Sequence, residues 1–353
     1  MKIKRVFVTA VFVTLAFILS ACAMGPRAVG APGLSADGEM VYVSNKQFVY
    51  AVNAKTGTQV WSYPSKASTQ IVFYAPPVVN EDGVYVGDLA NNFYKLDKAT
   101  GAELWKFSGA KGWFIGQAAI AMQTIYAPSA DHSMYALNIN DGSLAWKYET
   151  DHQIWSQPLA LGDKIIVSSL DHFVHAVDED GVEVWKTSLN GALVGAPVSN
   201  ETMDMVFAAT IGNSLYGLDA SSGDVKWQFD ATSGLWATPL YTQENLLVCD
   251  EAGKIYSVNP KTGELVWTIE TGSKVMGGLL AIEGGFVIVT EDGNVRAYDF
   301  ERKSPWNVKL TGEIYSTPVK TDENIIVGLM NSEVLLVGIN LQGTQVWSFT
   351  PGK

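Results

Sequence analysis

The chain has 353 residues, of which 36 are acidic and 24 basic, and its formal net charge is −12 at pH 7. An acidic surface repels nucleic acid and anionic lipid headgroups, so we expect neither as a direct partner. The sequence contains only two cysteines, at positions 22 and 249, which excludes a framework of several disulfides. Cys249 ends an apolar run, and we expect it to be a small buried hydrophobic residue.

The N-terminal segment has the pattern of an export signal. A basic start is followed by a short apolar run and by Leu19-Ser20-Ala21-Cys22. These four residues resemble the lipobox of bacterial lipoproteins, whereas the alternative is an ordinary signal peptide with a cysteine nearby. The resemblance implies a signal peptide over residues 1–21, a lipid on Cys22 and a short tether over residues 22–27. In bacteria with two membranes, an aspartate directly after the cysteine favours retention at the inner membrane. Ala23 stands at this position, so we expect the protein at the periplasmic face of the outer membrane. In a host with one membrane we expect it at the outer surface of the cytoplasmic membrane.

The remainder of the chain is a repeat of forty residues or so. Tryptophans recur at spacings of 39 to 44 residues, at Trp61, Trp105, Trp146, Trp185, Trp227, Trp267, Trp306 and Trp347. Each unit contains four short apolar runs bounded by turns, which is typical of four strands. Eight such units over residues 28–353 predict an all-β fold, an eight-bladed β-propeller of four-stranded blades whose closure leaves few sheet edges exposed. An open solenoid, the alternative, would normally carry atypical capping repeats.

The segment LDKATGAELW, residues 96–105, indicates how each unit closes. Asp97 accepts hydrogen bonds from the turn after it, Gly101 supplies a positive φ, and Trp105 begins an outer strand that packs between blades. This segment resembles the PQQ-like repeat, with its pattern Ala-x-Asp-x-x-Thr-Gly-x-x-x-Trp, and we therefore expect the eight tryptophans to be structural. The motif is one residue short in the fourth and eighth units. The seventh unit, AYDFERKSPW, lacks the glycine, so we expect its turn to differ.

In size and layout the chain resembles the BamB family of outer-membrane β-barrel assembly lipoproteins. The resemblance implies a non-enzymatic scaffold that binds envelope proteins, including a β-barrel assembly complex, through loops on one propeller face. We expect a monomer that is held at its membrane by the lipid on Cys22. The first alternative is a cell-surface propeller that binds a small ligand, a sugar or a quinone.

A dehydrogenase that depends on pyrroloquinoline quinone (PQQ) is the second and weaker alternative. Such enzymes hold the quinone over the ring axis with calcium and an aspartate base, often above a disulfide between adjacent cysteines. This chain has no Cys-Cys pair, and its short units leave no room for the insertions that build those active sites. We therefore expect no catalysis and no bound PQQ.

The residue just before each innermost strand alternates in size around the ring. Aromatic residues occupy the even units, at Tyr74, Trp155, Trp236 and Tyr315, and Val29, Ile115, Val194 and Met276 occupy the odd ones. The simpler interpretation is the packing of a tapering channel mouth. The sharper hypothesis is an aromatic rim that docks a peptide strand, an extended loop or a sugar.

Three Asp-His pairs form a second feature that the repeat does not require. They are Asp131-His132, Asp151-His152 and Asp171-His172, and strand alternation places all three on the face of the aromatic rim. Imidazole and carboxylate groups together could bind zinc or another transition metal. Aspartate is also a common turn residue, and on that ground we expect no metal site here. A milder hypothesis is a sector whose charge changes between about pH 5 and 8, where histidine titrates.

Overall fold

The computed structural model describes residues 30–242 and 245–352. The predicted signal peptide, the lipid-bearing Cys22, the tether and Val29 lie outside the described residues. Within them, no helix is long and apolar enough to cross a membrane.

The described residues form 32 strands, numbered here in chain order. Blades one to four comprise β1 Gly33–Asp37, β2 Met40–Asn45, β3 Phe48–Asn53, β4 Gln59–Tyr63, β5 Val78–Asn80, β6 Gly83–Gly87, β7 Phe93–Leu96, β8 Glu103–Phe107, β9 Ala119–Ala121, β10 Thr124–Pro128, β11 Ser133–Asn138, β12 Leu144–Glu149, β13 Leu159–Leu161, β14 Lys164–Ser168, β15 Phe173–Asp178 and β16 Glu183–Ser188. Blades five to eight comprise β17 Val198–Ser199, β18 Met205–Ala209, β19 Ser214–Asp219, β20 Val225–Asp230, β21 Leu240–Thr242, β22 Asn245–Cys249, β23 Lys254–Val258, β24 Leu265–Glu270, β25 Leu280–Ile282, β26 Gly285–Val289, β27 Asn294–Asp299, β28 Asn307–Lys309, β29 Val319–Lys320, β30 Asn324–Gly328, β31 Leu336–Asn340 and β32 Gln345–Phe349.

Each blade is an antiparallel meander of four consecutive strands. The innermost strand β1 contacts both β5 of the second blade and β29 of the eighth, so the ring is closed. The two middle strands of a blade are buried on both faces, as in β2 and β3, whereas the outer strand β4 begins exposed. The prediction of an all-β, eight-bladed propeller is confirmed.

The hydrophobic core is divided among the seams between blades. Among the described residues it consists of eight clusters, and each one joins the apolar side chains of two neighbouring blades. One cluster, for example, packs Val41 and Val43 of the first blade against Ile326 and Leu336 of the eighth. Because no blade encloses a core of its own, burial of apolar surface holds the ring together blade by blade.

Each blade is built from one continuous segment, so no blade combines strands from the two ends of the described residues. Asn324 donates its side-chain N–H to the carbonyl of Ala54 at 2.9 Å, and the Ser316 hydroxyl donates to the carbonyl of Pro32 at 2.6 Å. Side-chain packing and these hydrogen bonds therefore close the ring.

The recurring tryptophans connect each outer strand to the next blade. Seven of the eight donate the indole N–H, at 2.8–3.2 Å, to the carbonyl that follows the Asp or Asn of the next blade's third strand. These pairs are Trp61 to Lys98, Trp105 to Ile139, Trp146 to Glu179, Trp185 to Ala220, Trp227 to Pro260, Trp306 to Leu341 and Trp347 to Ala54. Trp267 makes no such bond among the described residues, and its ring stacks on Phe286 at a centroid distance of 6.2 Å.

The turn of the seventh blade lacks the glycine that the other blades carry. Arg302 has a φ of 70°, and it stands four residues before its tryptophan, as Gly181 and Gly343 do in the short turns of blades four and eight. Its amide donates to the carbonyl of Asp299 at 3.0 Å. The seventh blade therefore keeps the short turn of blades four and eight but places an arginine in the left-handed position.

Replacing Arg302 with glycine should raise the free energy of unfolding by about 1 kcal/mol. The left-handed conformation costs a side-chain-bearing residue about 1–2 kcal/mol, and the greater entropy of glycine in the unfolded chain offsets part of that gain. Chemical unfolding of the wild type, Arg302→Gly and Arg302→Ala measures the difference. A gain for alanine equal to that for glycine would show that the backbone conformation is not its cause.

Tyr42 offers a second stability test, because it is fully buried and its hydroxyl has no hydrogen-bond partner among the described residues. Burial, together with the charge of Asp37, raises its pKa to about 12. Tyr42→Phe removes an unpaired polar group, so the free energy of unfolding should stay constant or rise by about 1 kcal/mol. Tyr94→Phe is the matched control: the Tyr94 hydroxyl donates to Asp88 at 2.7 Å, and its loss should cost about 1.5–3 kcal/mol.

Candidate functional site

The loop face is the end of the propeller that carries the turns between second and third strands and the connections between blades. Backbone hydrogen bonds join turn to connection around the ring: the amide of Ala130 donates to Trp113, that of Leu170 to Gln153, and that of Glu251 to Gly234, at 2.8–3.0 Å. This face is therefore fixed by the backbone and presents its side chains from defined positions.

The aromatic residues of the predicted rim occupy different environments. Tyr74, Trp155 and Trp236 are half-buried, and the indole nitrogen of Trp155 has no hydrogen-bond acceptor among the described residues. Tyr315 is only 7% exposed, and its hydroxyl lies 2.6 Å from Glu291 Oε1 and 3.0 Å from Glu313 Oε2. Burial, followed by those two carboxylates, raises its pKa. Tyr315 therefore belongs to a hydrogen-bonded cluster and does not present a free ring.

An aromatic residue that the repeat alignment did not single out is more exposed than any of the predicted four. Trp113, in the connection between blades two and three, is 50% exposed on the loop face. The sequence could have revealed it by alignment of the connections. Trp113 falls two residues before Ile115, where other connections carry the non-aromatic residues Gln153, Ala192 and Lys274.

The innermost strands line a central channel below this rim. A cavity of about 570 Å³ is bounded by β5, β9, β13 and β17 with Gln157, Pro197 and Thr238, and its lining residues are all uncharged. Several polar groups at this level are used between blades: Gln157 donates to the carbonyl of Ala118 at 3.2 Å, and the Thr238 hydroxyl accepts the amide of Ala196 at 3.0 Å. The walls that remain are largely apolar.

This lining does not fit the cofactor after which the repeat is named. Calcium takes oxygen ligands that usually include carboxylates, and a quinoprotein base is an aspartate. None of the residues around the described cavity is acidic. The residues that line this cavity therefore supply neither group.

The Asp-His pairs are not brought together as one ligand set. His132 and His172 have φ values of 70° and 74° and occupy the left-handed turn position that Asn91 and Asn213 take in blades two and five. The rings of His132 and His152 stack at 5.5 Å with an interplanar angle of 9°. In the described residues no group of three or more His, Cys, Asp or Glu side chains could hold a metal ion.

Two of the carboxylates in these pairs are occupied by neighbouring donors. Asp131 accepts the hydroxyl of Tyr135 and the amide of Lys111, both at 2.6 Å. Burial alone would raise the pKa of Asp131, but these hydrogen bonds lower it below its ordinary value. Asp171 pairs with a histidine outside the predicted set, since its Oδ2 lies 3.0 Å from Nε2 of His175. We identify none of the six residues of the Asp-His pairs as a metal ligand.

His175 is the buried residue that the sequence interpretation missed. It stands in the third strand of its blade, where the same position carries a tyrosine in five other blades, Tyr50, Tyr94, Tyr135, Tyr216 and Tyr256. Alignment of the third strands alone would have revealed the change of residue type. It would not have revealed that Tyr148, on the outer strand of the preceding blade, lies 3.0 Å from Nδ1.

An eight-bladed propeller built of PQQ-like repeats, with a cavity lined by uncharged residues beside its innermost strands, defines the class of this chain. A family model described as outer membrane protein assembly factor BamB matches residues 45–168, 150–274 and 251–352. The chain belongs to this family.

Individual relatives are distant. The chain is 35% identical over 112 residues to outer membrane protein assembly factor BamB of Nitrosomonas eutropha, a match that covers 31% of this chain and 27% of that protein. It is 23% identical to outer membrane protein assembly factor BamB of Escherichia coli, with 82% of this chain and 80% of that protein covered. Tetrathionate hydrolase of Acidithiobacillus ferrooxidans is 26% identical over 149 residues, or 42% of this chain and 27% of the enzyme.

A solved structure supports the fold over nearly the whole chain. The crystal structure of BamB from Moraxella catarrhalis superposes with a TM-score of 0.71 and 18% identity, covering 87% of this chain and 92% of that one. At this identity the likeness establishes the propeller architecture alone.

Proposed function

We propose that this protein is a non-enzymatic scaffold of the cell envelope that binds protein partners through its loop face and acts in outer-membrane β-barrel assembly. The observation that carries the proposal is the membership of the BamB family over most of the chain. Its support from the molecule is a rigid loop face with half-buried and exposed aromatic side chains, since tryptophans and tyrosines dominate protein interfaces. The acidic channel residues that a quinoprotein dehydrogenase needs are not among those lining the described cavity.

The proposal includes a lipid anchor on Cys22. Five extended residues, from Ala23 to Arg27, reach at most about 18 Å, so the propeller would stay close to its membrane. Replacing Cys22 with alanine should move the protein from the membrane fraction to the soluble fraction. A variant that still sediments with membranes after washing at high salt would contradict lipid anchoring.

The first experiment is a mild cross-link in native membranes, followed by capture of the protein and mass spectrometry. A stoichiometric partner of the outer-membrane β-barrel insertase class supports the proposal. Recovery of no protein partner above background contradicts it, provided that the captured protein is folded.

The docking surface is tested by Trp155→Ala combined with Trp236→Ala. Loss of two aromatic anchors should weaken partner capture at least tenfold, because truncation of one central aromatic residue commonly costs about 2 kcal/mol of binding energy. The matched control is Met122→Ala with Met203→Ala, which removes side chains 70% and 56% exposed at the first hairpins of blades three and five, on the opposite face. Undiminished capture by the folded tryptophan variant, or loss of capture in the methionine variant, would place the docking surface elsewhere.

A second candidate function is the binding of a small, largely apolar ligand in the channel. The observation that favours it is the cavity of about 570 Å³, which lies within the usual range for ligand sites of about 300–1,000 Å³. Uncharged, largely apolar walls suit a quinone better than a sugar, which needs convergent polar groups. Native mass spectrometry of protein purified from its host distinguishes the two functions by whether a ligand is retained.

A further inference from the structure

A row of hydrogen-bonded polar side chains crosses the seam between blades three and four, from the buried Asp171 and His175 to Glu183 at the surface. His175 is 4% exposed, and its Nε2 lies 3.0 Å from Oδ2 of Asp171. Its Nδ1 lies 3.0 Å from the hydroxyl of Tyr148, and that hydroxyl lies 2.6 Å from Oε2 of Glu183. Asp171, His175 and Glu183 belong to blade four, whereas Tyr148 is the second-last residue of β12 in blade three.

The number of shared protons decides the charge of these four side chains. Three contacts require three shared protons, and an ionised carboxylate contributes none. A phenol contributes one proton and a neutral imidazole one, so the set with a neutral His175 is one proton short. If both ring nitrogens carry protons, Nε2–H donates to Asp171, Nδ1–H donates to Tyr148, and Tyr148 donates to Glu183. Every contact is then a hydrogen bond.

Charged groups stand at both ends of this row of contacts. Asp171 and Glu183 stand at the two ends of the chain, and burial alone would raise the pKa of Asp171, whereas its hydrogen bonds with His175 and the Phe173 amide lower it. Along the sheet His175 pairs with the apolar Val167 of β14 and with Lys186 of β16. The Lys186 ammonium lies 3.8 Å from Glu183, and the charge of Asp151, in the connection between the blades, also acts on Tyr148.

We propose that His175 is a buried imidazolium that ties the end of β12 to blade four, and that loss of its proton releases this tie. Without the Nδ1 proton, the Tyr148 hydroxyl must choose between Glu183 and His175, and one contact across the seam is lost. The connection that presents His152 and Trp155 begins two residues after Tyr148. The amide of Asp151 in that connection donates to Asp171 at 3.2 Å. The connection is therefore held both at its start, through Tyr148, and at Asp151, through Asp171.

The direct test is nitrogen NMR of the full chain labelled with ¹⁵N-histidine, which contains only four histidines. At pH 7 we expect the resonances of His175, identified by their loss in His175→Tyr, to show both ring nitrogens protonated. One protonated and one bare nitrogen at that pH would overturn the proposal. This test needs no partner, so its failure is distinct from a failure of the proposed scaffold function, on which only the consequence for docking depends.

Stability as a function of pH gives an independent readout. Histidine in an unfolded chain loses its proton near pH 6.5, so above that pH a folded state that keeps the proton binds more protons than the unfolded state, and stability falls as pH rises. We expect the melting temperature of the wild type to fall, relative to that of His175→Tyr, as the pH is raised. The variant carries the residue used by five other blades, and Tyr135 bonds Asp131 in the way that a tyrosine at position 175 would bond Asp171.

His172→Asn is the matched control. His172 is exposed and occupies a left-handed turn position in which other blades use asparagine, so its loss should leave the pH dependence unchanged. Equal pH slopes in the wild type and His175→Tyr would overturn the proposal, as would a slope abolished by His172→Asn.

Discussion

Replacing Trp347 with alanine should lower the free energy of unfolding by about 3–5 kcal/mol, the usual cost of truncating a large buried aromatic residue. Trp347 is 8% exposed at the seam that closes the ring. Its indole N–H donates to the carbonyl of Ala54 at 2.8 Å, and its ring packs in a cluster with residues of both the first and the eighth blade. Chemical unfolding followed by circular dichroism measures the loss.

Two other tryptophans act as controls for this experiment. Trp113→Ala removes a side chain that is 50% exposed, and its effect on stability should stay within about 0.5 kcal/mol. Trp267→Ala removes a tryptophan that packs between blades but makes no hydrogen bond among the described residues, so its cost should be about 1 kcal/mol smaller than that of Trp347→Ala. A cost for Trp347→Ala no larger than that for Trp113→Ala would contradict a role of Trp347 in ring closure.

The propeller could be predicted from the sequence because its determinants are local and repeated. The Asp, the glycine and the tryptophan of LDKATGAELW lie within ten residues, and each acts on its own turn or on the adjacent seam. The same local view expected a different turn in the seventh unit, where the glycine is missing. That expectation was wrong in its geometry, since Arg302 adopts the positive φ itself and keeps the short turn of blades four and eight.

The candidate site was less predictable because its contacts cross seams. The sequence placed Tyr315 in an open rim, but its environment depends on Glu291, which belongs to the preceding blade's turn. The sequence likewise grouped three histidines by their aspartate neighbours and passed over His175, whose partner Tyr148 lies three strands earlier in the chain. Residue spacing within one unit carries no information about which side chains meet between units.

Replacing Gly101 with alanine should cost about 3 kcal/mol, although it adds a single methyl group. Gly101 has a φ of +72°, and a Cβ at this position would lie 2.5 Å from Cε3 of Trp61, whose side chain is 6% exposed. The left-handed conformation accounts for about 1–2 kcal/mol of the expected loss. Displacement of the buried indole accounts for the rest, since overpacking of a core typically costs about 1–3 kcal/mol.

Gly38→Ala separates these two contributions. Gly38 has a φ of +57°, but no atom lies within 4 Å of the position that its Cβ would occupy. This variant should therefore lose only the conformational part, about 1 kcal/mol, and chemical unfolding of both variants against the wild type measures the difference. Equal losses would mean that the glycine of the motif serves its own turn alone. A loss about 2 kcal/mol larger at Gly101 would mean that the glycine also provides the surface on which the preceding blade's tryptophan packs, so that the turn motif and the recurring tryptophan act together at each seam.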